Sequence, residues 1–160
     1  MVLALALKLN GVTAEIFEAR ERAAVRLDPR VLALSDGARQ ILEWLDVWPE
    51  LSATPINTIH ISQRGGFGRS CLRAAELDMK ALGWVLAASD LIAALDAAVS
   101  AAGITYHDNK RVMRSDALHA GNSASLAGIA GDITFALTAY AEGAVETGTG
   151  TDSPTRMLAS

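Results

Sequence analysis

The chain has 160 residues, of which 51% are hydrophobic and 20% are charged, so it can bury a core and is not a disordered chain. Lys and Arg number 14 against 18 Asp and Glu, and the net charge of -4 excludes a general basic surface for nucleic acid. The apolar start, residues 1–7, is too short to span a membrane and lacks the flanking features of a signal peptide.

The first two predicted elements form half of a nucleotide-binding unit. Residues 1–9 predict a buried helix that ends at Gly11, and the β-branched and aromatic residues of Val12–Phe17 predict a strand. Glu18 follows where a βαβ dinucleotide-binding unit carries the carboxylate that binds a ribose, about 20 residues after a Gly-rich loop. Counting back from Glu18 reaches Met1. We therefore expect the loop and its strand to lie outside this chain, as in a piece of a larger protein.

A charged segment separates this unit from the next helix. Arg20–Arg30 is polar, with a break at Asp28-Pro29, and is predicted to be a loop that leads into a helix. The helix is predicted over Ser35–Leu45 because its apolar residues recur at helical spacing, and Ser35 or Asp36 is the expected N-cap.

Alternating residues over Ile56–Ser62 predict a strand. The following segment, Gln63–Arg69, has three glycines and two arginines, which permits a phosphate-binding loop or a β-turn between two strands. Its glycine spacing fits neither a Walker loop nor GxGxxG, so we favour the turn.

The second half of the chain alternates between a helix and strands. A helix is predicted over Leu91–Ala102, with Ala87–Asp90 as its cap and Gly103 at its end. Further strands are predicted at Ile104–His107, Ser123–Leu126 and Asp132–Tyr140, the last two joined by a turn over Gly128–Gly131. We expect one domain over residues 1–145 and a disordered tail over residues 146–160, which are poor in apolar residues.

Metal-binding and nucleophilic patterns are missing from the sequence. His60, His107 and His119 are spaced in no common metal-ligand pattern, and no catalytic Ser-His-Asp arrangement is present, so no metal site and no catalytic residue is predicted. The single cysteine, Cys71, cannot form an internal disulfide, which fits a reducing compartment. We expect a cytoplasmic protein.

Four segments in order carry a family resemblance: Ile16–Arg20, Asp28–Ser35, Ile41–Leu45 and Ile59–Ser62. Together they resemble the FAD-dependent aromatic hydroxylases of ubiquinone biosynthesis, in particular the 2-polyprenyl-6-methoxyphenol hydroxylases. The combination of Asp-Pro-Arg-x-x-Ala-Leu-Ser with Ile-His-x-Ser is the specific part. The resemblance covers residues 1–105 and is weak from residue 110 onward.

The resemblance implies an α/β fold: an incomplete FAD-binding, Rossmann-like domain of the class A flavoprotein monooxygenases, with part of a mixed β-sheet substrate region. In such enzymes NAD(P)H reduces FAD, and the reduced flavin uses O2 to hydroxylate a phenolic ring. The implied substrate is a polyprenylated phenol. The implied setting is the cytoplasm or the inner face of the membrane, with association into a ubiquinone-synthesis complex or an oligomer.

Two cofactor-binding residues follow from the resemblance. Glu18 matches the carboxylate that binds the adenosine ribose, and Arg30 matches an arginine that lies near the cofactor phosphates or flavin oxygens. Glu18 has the alternative of a solvated carboxylate at a strand end, and Arg30 that of pairing with Asp28. In the segment Tyr140–Gly143, Glu142 stands where the family has Asp, and a plain turn is an equal interpretation.

The sequence is compatible with two functions. The first is a piece of an FAD-dependent hydroxylase that is inactive as this chain and binds FAD weakly or not at all, because the Gly-rich phosphate loop is absent from residues 1–160. The second is a noncatalytic, flavoprotein-like module that binds protein partners through exposed strand edges and forms oligomers.

Overall fold

The computed structural model describes residues 1–62, 69–118, 121–126 and 132–141. The helices are α1 (Val2–Leu9), α2 (Arg22–Val25), α3 (Asp36–Trp44) and α4 (Ala88–Ala101). The strands are β1 (Glu15–Phe17), β2 (Val31–Leu34), β3 (Thr54–Ile56), β4 (Thr58–Ser62), β5 (Arg69–Arg73), β6 (Gly83–Ala87), β7 (Thr105–His107), β8 (Val112–Leu118), β9 (Gly121–Leu126) and β10 (Asp132–Phe135). Short 3-10 turns lie at Trp48–Glu50 and Ala74–Leu77.

A parallel pair of strands lies beside the helical core. β1 pairs with β7 in parallel, with Ile16 opposite Tyr106. Parallel pairing requires a long connection between the two strands, and α4 is the last helix of that connection, directly before β7. The pair thus provides the parallel strands that a nucleotide-binding α/β unit needs.

The remaining strands pair in antiparallel fashion. β6 is the central strand of a sheet in the order β2-β6-β3, in which Val31 lies opposite Ala87 and Ile56 opposite Gly83. β4 and β5 form a hairpin, and β8, β9 and β10 form a meander with an irregularity between Val112 and Arg114. The fold is therefore α/β with a parallel pair and a larger antiparallel part.

The hydrophobic core joins three helices. α1, α3 and α4 contribute one apolar face each, and the segments that follow α3 and α4 close the cluster. Its buried members are Ala4, Leu5, Leu42, Leu45, Val47, Leu95, Val99 and Ile104. Burying this apolar surface is the main favourable contribution to folding, and it anchors the ends of β1 and β7.

Several predicted elements are confirmed with adjusted bounds. The first helix is present, but only its Ala4 and Leu5 are buried, and Leu3 and Leu9 are exposed. Ser35 caps α3 by accepting a hydrogen bond from the Ala38 backbone N–H at 3.2 Å. The strand predicted over Val12–Phe17 is only β1, because the Val12 N–H donates to the Leu7 carbonyl at 2.9 Å and completes the end of α1. The helix predicted from Leu91 begins earlier, at Ala88.

Other predictions need correction. The segment 20–30 is not simply a loop, since it contains the one-turn helix α2. It leads into strand β2 before α3 begins, and β2, β6 and β8 were not predicted at all. The strand predicted over Ile56–Ser62 is divided at Asn57 into β3 and β4, and the strand predicted over Asp132–Tyr140 ends at Phe135.

Some predictions lie outside the described residues. They are the first predicted turn over residues 63–68, the residue His119, the turn at Gly128–Gly131, the motif residues Glu142 and Gly143, and the tail 146–160. Arg69, the last residue of the first turn segment, is described. The strands β4 and β5 on either side of the first turn do pair, which agrees with a hairpin. In the part of the chain that is described, no helix is both long and apolar enough to cross a membrane.

Candidate functional site

Glu18 lies directly after β1, at the carboxyl end of the parallel pair. Its backbone N–H donates to the His107 carbonyl at 2.9 Å, and its own carbonyl accepts the Lys110 N–H at 2.9 Å. These bonds continue the β1–β7 ladder by one residue and fix Glu18 against the end of β7. Ligands of open α/β sheets generally bind outside the carboxyl ends of parallel strands, and Glu18 lies at such an end.

The Glu18 carboxylate is held by Arg20. Its Oε1 accepts the Arg20 backbone N–H at 3.0 Å and Nε at 3.1 Å, and its Oε2 accepts Nη2 at 3.3 Å. Partial burial raises the pKa of Glu18, but the hydrogen bonds from the Arg20 side chain and backbone outweigh burial and leave this pKa below its usual value. The carboxylate is therefore ionised at neutral pH. Arg20 occupies three of the about four acceptor positions of the two carboxylate oxygens, and the Ala19 backbone N–H also interacts with them, so a ribose hydroxyl would share or displace one of these donors.

Arg30 stands at the start of β2, and its side chain is 73% exposed. Asp28 accepts its backbone N–H at 3.0 Å, Nε at 2.9 Å and Nη2 at 2.6 Å, so the pairing with Asp28 considered from the sequence is present. The Arg30 carbonyl accepts the Ala88 N–H at 2.9 Å, at the first residue of α4. No hydrogen bond to Arg30 Nη1 occurs within the described ranges, so this group remains available to a ligand.

Arg20 connects the two predicted residues electrostatically. It stabilises the Glu18 carboxylate directly, and it adds to the effect of Arg30 in lowering the pKa of Asp28. Four charged residues of alternating sign, Glu18, Arg20, Asp28 and Arg30, thus share one surface. Sequence reasoning gave no role to Arg20, although the repeated spacing of an acid and an arginine two residues apart was a usable signal.

The chemistry of this surface fits the adenosine and phosphate end of FAD. A carboxylate accepts hydrogen bonds from ribose hydroxyls, and exposed guanidinium groups donate to phosphate oxygens. None of the described residues forms a group of three or more His, Cys, Asp or Glu side chains that would hold a metal ion. The surface therefore offers groups that can recognise a ligand.

The two described histidines, His60 and His107, lie in strands and face neighbouring residues of the fold. His107 Nε2 lies 2.7 Å from Glu15 Oε2, and its ring stacks on Phe17 with centroids 4.5 Å apart. His60 lies opposite Cys71 in the β4–β5 register. Neither of these two histidines belongs to a group of three or more metal-ligating side chains among the described residues.

Comparisons with known proteins identify the fold. No protein-family model matches the chain. A variant of 2-methyl-3-hydroxypyridine-5-carboxylic acid oxygenase superposes with a TM-score of 0.64 at 20% identity, over 83% of this chain and 34% of that one. HpxO of Klebsiella pneumoniae, solved with FAD and uric acid, has a TM-score of 0.59 at 16% identity, over 83% and 33% of the two chains. For the peptidyl tryptophan dihydroxylase QhpG, the TM-score is 0.54 at 17% identity, over 84% and 28%.

This similarity confirms the predicted fold class. The chain shares the α/β fold of FAD-binding monooxygenases, and it spans about a third of the length of the solved structures that it matches. The cofactor contacts assigned to Glu18 and Arg30 stay predictions, as does the domain boundary at residue 145, which falls outside the described residues.

Proposed function

We propose that this chain is the part of an FAD-dependent aromatic monooxygenase that holds the adenosine end of the cofactor. The observation that carries the proposal is the position of the ionised Glu18 carboxylate at the carboxyl end of a parallel strand, on one charged surface with Arg20 and Arg30. The shared fold supports it, because HpxO, one protein with this fold, was solved with FAD.

Each residue has a separate task in this proposal. Glu18 accepts hydrogen bonds from the ribose hydroxyls, and Arg20 keeps its carboxylate ionised and oriented. Arg30, oriented by Asp28, directs its free N–H groups towards the phosphates. Bound FAD supplies the redox and oxygen chemistry, while NAD(P)H serves as the reductant.

The substrate assignment rests on the sequence resemblance. We propose that the whole protein hydroxylates a polyprenylated phenol in ubiquinone biosynthesis. A polyprenyl chain is strongly apolar and partitions into the bilayer, so the protein would work at the inner face of the membrane or within a ubiquinone-synthesis complex.

Binding of the adenosine end can be tested on the chain itself. Backbone amide shifts would be followed by NMR as ADP or FAD is added up to millimolar concentration. We expect weak binding with shifts confined to the end of β1 and the start of β2, and we expect Glu18→Gln to weaken this binding. Glu15→Gln is the matched control, because Glu15 is on the same strand but contacts His107. Equal binding by both variants would refute the proposal, as would a folded full-length chimera, described next, that does not bind FAD.

The substrate assignment needs a second experiment. The corresponding third of a ubiquinone-pathway hydroxylase would be replaced by residues 1–141 of this chain, and the chimera would be produced in a strain that lacks the hydroxylase. We expect restored ubiquinone synthesis, which Glu18→Gln should reduce. A chimera that folds and binds FAD but leaves the polyprenylated phenol unmodified would overturn the substrate assignment and leave the cofactor assignment intact.

A noncatalytic interaction module is the second candidate function. The observation that favours it is the β4–β5 hairpin, where Ile59, Ile61 and Leu72 share one face and are 37%, 52% and 38% exposed. Apolar hairpin faces of this kind usually pack against other protein. Light scattering with Ile61→Lys tests it: oligomers that this substitution disperses, in a chain that binds neither ADP nor FAD, would favour the module.

A further inference from the structure

Asp96 is a buried carboxylate on the otherwise largely apolar helix α4. It is 2% exposed, and two arginines of the segment around α2 converge on it. Its Oδ1 accepts Arg22 Nε at 2.5 Å, and its Oδ2 accepts a hydrogen bond from Arg26 Nη2. Both carboxylate oxygens are therefore engaged, and both bonds run to the segment between Glu18 and Arg30.

Arg22 makes three further contacts that hold the segment 20–30 against the rest of the fold. Its Nη2 donates to Ser100 Oγ at 2.7 Å, one turn beyond Asp96 on α4. Its guanidinium carbon lies 4.8 Å from the centre of the Tyr106 ring on β7, within the range of a cation–π contact. Its backbone N–H donates to Asp108 Oδ2 at 3.2 Å. One arginine thus joins α2 to α4, to β7 and to the loop after β7.

The chain on either side of α2 carries the proposed cofactor contacts. Glu18 and Arg20 precede Arg22, and the Arg20 carbonyl accepts the Asn109 N–H at 3.1 Å. Asp28 and Arg30 follow it and have no place in the hydrophobic core; the Arg30 side chain is exposed, and that of Asp28 is partly buried. Two features lie between these pairs and attach the segment to the fold: the buried side chain of Val25 and the ion cluster on Asp96, and only the ion cluster consists of charged groups.

We propose that Asp96 is a positioning residue: by holding Arg22 and Arg26, it fixes the segment 20–30 and so sets the placement of Arg20 and Arg30 towards the cofactor. This inference rests on the function proposed above. A buried carboxylate between two arginines adds little stability compared with apolar side chains of similar volume, so we assign its effect to the placement of the segment.

The central comparison is Asp96→Asn against the unchanged chain. Asparagine keeps the size of the side chain but removes the charge that holds two guanidinium groups. We expect amide hydrogen exchange over residues 20–30 to become about tenfold faster and ADP to bind about tenfold more weakly. Exchange over α3 should stay the same, and Asp96→Glu should restore part of the ADP affinity because it restores the charge.

Two control variants separate positioning from general stability. Val99→Ala removes methyl groups from a core residue that is 0% exposed on the same helix, and it should lower the melting temperature without weakening ADP binding by the folded chain. Asp46→Asn makes the same charge change at an exposed residue with a φ of 57°, a conformation that asparagine also adopts, and should change neither readout.

The outcomes are distinguishable. Unchanged exchange over residues 20–30 in Asp96→Asn would overturn the inference, as would a loss of ADP affinity in Val99→Ala as large as that in Asp96→Asn. A folded full-length chimera that does not bind FAD would refute the proposed function, and the exchange data would still decide whether Asp96 fixes this segment.

Discussion

Asp28 holds Arg30 in a clasp of neighbouring residues: its Oδ2 lies 2.6 Å from Arg30 Nη2, and its Oδ1 accepts the Arg30 backbone N–H at 3.0 Å. The arginine side chain is 73% exposed, yet its orientation is set within the protein. A side chain that is oriented before a ligand arrives loses less conformational entropy on binding. The pairing with Asp28 therefore does not compete with a role in phosphate binding.

The clasp predicts the pH dependence of Asp28. Hydrogen bonds from the Arg30 side chain, and then from its backbone, lower the pKa of Asp28 from 3.8 to about 2. Since the folded state lowers this pKa, the clasp stabilises the fold fully above the unfolded pKa of 3.8, and its contribution is lost as the pH falls through about 2. Carboxyl 13C NMR should give a midpoint near this value in the unchanged chain and a higher one in Arg30→Met. A midpoint near 4 in the unchanged chain would contradict the clasp.

Gly83, in the central strand β6, is a position where any added side chain is predicted to lower stability. A Cβ atom added there would lie 2.9 Å from the Leu34 carbonyl oxygen on β2 and 3.4 Å from Ile56 Cδ1 on β3. Because backbone must shift to relieve that contact, we expect Gly83→Ala to lower the free energy of unfolding by about 1–3 kcal/mol. Urea unfolding would measure it.

Gly37 provides the matched control for Gly83. A Cβ added at Gly37 in α3 has Ser35 Oγ at 3.8 Å as its nearest neighbour, so it meets only ordinary contacts. Alanine is the better helix former, and Gly37→Ala should raise the free energy of unfolding by about 0.5 kcal/mol. Equal effects of the two substitutions would show that close packing of β2 against β6 is not what requires glycine at position 83.

The elements that the sequence predicted well are those whose signals are local. α3 was predicted because the apolar spacing and the Ser35 cap lie within one segment, and the cap hydrogen bond is present. β2 and β6 were missed because they are short apolar runs that become strands only by pairing with each other, with Val31 opposite Ala87. Periodicity within a short window does not reveal a partner so distant in the chain.

The residues of the candidate site also differ in whether a local sequence signal could reveal them. Glu18 could be singled out because an acid directly after a predicted strand is itself a local signal, and the structure does place it at a strand end. The contact between Asp96 and Arg22 joins segments 74 residues apart, so only folding brings it about. Two polar residues four positions apart on a largely apolar helix, Asp96 and Ser100, were the available hint, since such residues share one helix face.

The helical core predicts a contrast between two neighbouring residues of α3. Leu42 is 4% exposed in the core, whereas Ile41 is 49% exposed. We expect Leu42→Ala to lower the free energy of unfolding by about 2–5 kcal/mol, because it removes buried methyl groups and leaves a cavity. Ile41→Ala should cost about 0.5 kcal/mol or less. Chemical denaturation measures both, and similar losses for the two variants would mean that α3 does not bury the face described.

The proposed division of tasks between Glu18 and Arg30 predicts that substitutions at these two residues affect the binding of adenosine and ADP differently. Glu18 is assigned to the ribose, which adenosine and ADP share, so Glu18→Gln should weaken the binding of both ligands. Arg30 is assigned to the phosphates, so Arg30→Met should weaken ADP binding about fivefold, as expected for an exposed ion pair, and leave adenosine binding unchanged. NMR titrations with the two ligands measure these affinities.

Added salt and a matched variant test the phosphate assignment further. Salt should weaken ADP binding to the unchanged chain and have little effect on Arg30→Met, because added ions screen the attraction between exposed charges, with a Debye length of about 8–10 Å at moderate ionic strength. Arg73→Met removes an exposed arginine that pairs with Glu76 beside the hairpin and should change neither affinity. If Arg30→Met weakened adenosine and ADP binding equally, Arg30 would act through the shape of the loop, and the phosphate contact would have to be assigned to Arg20.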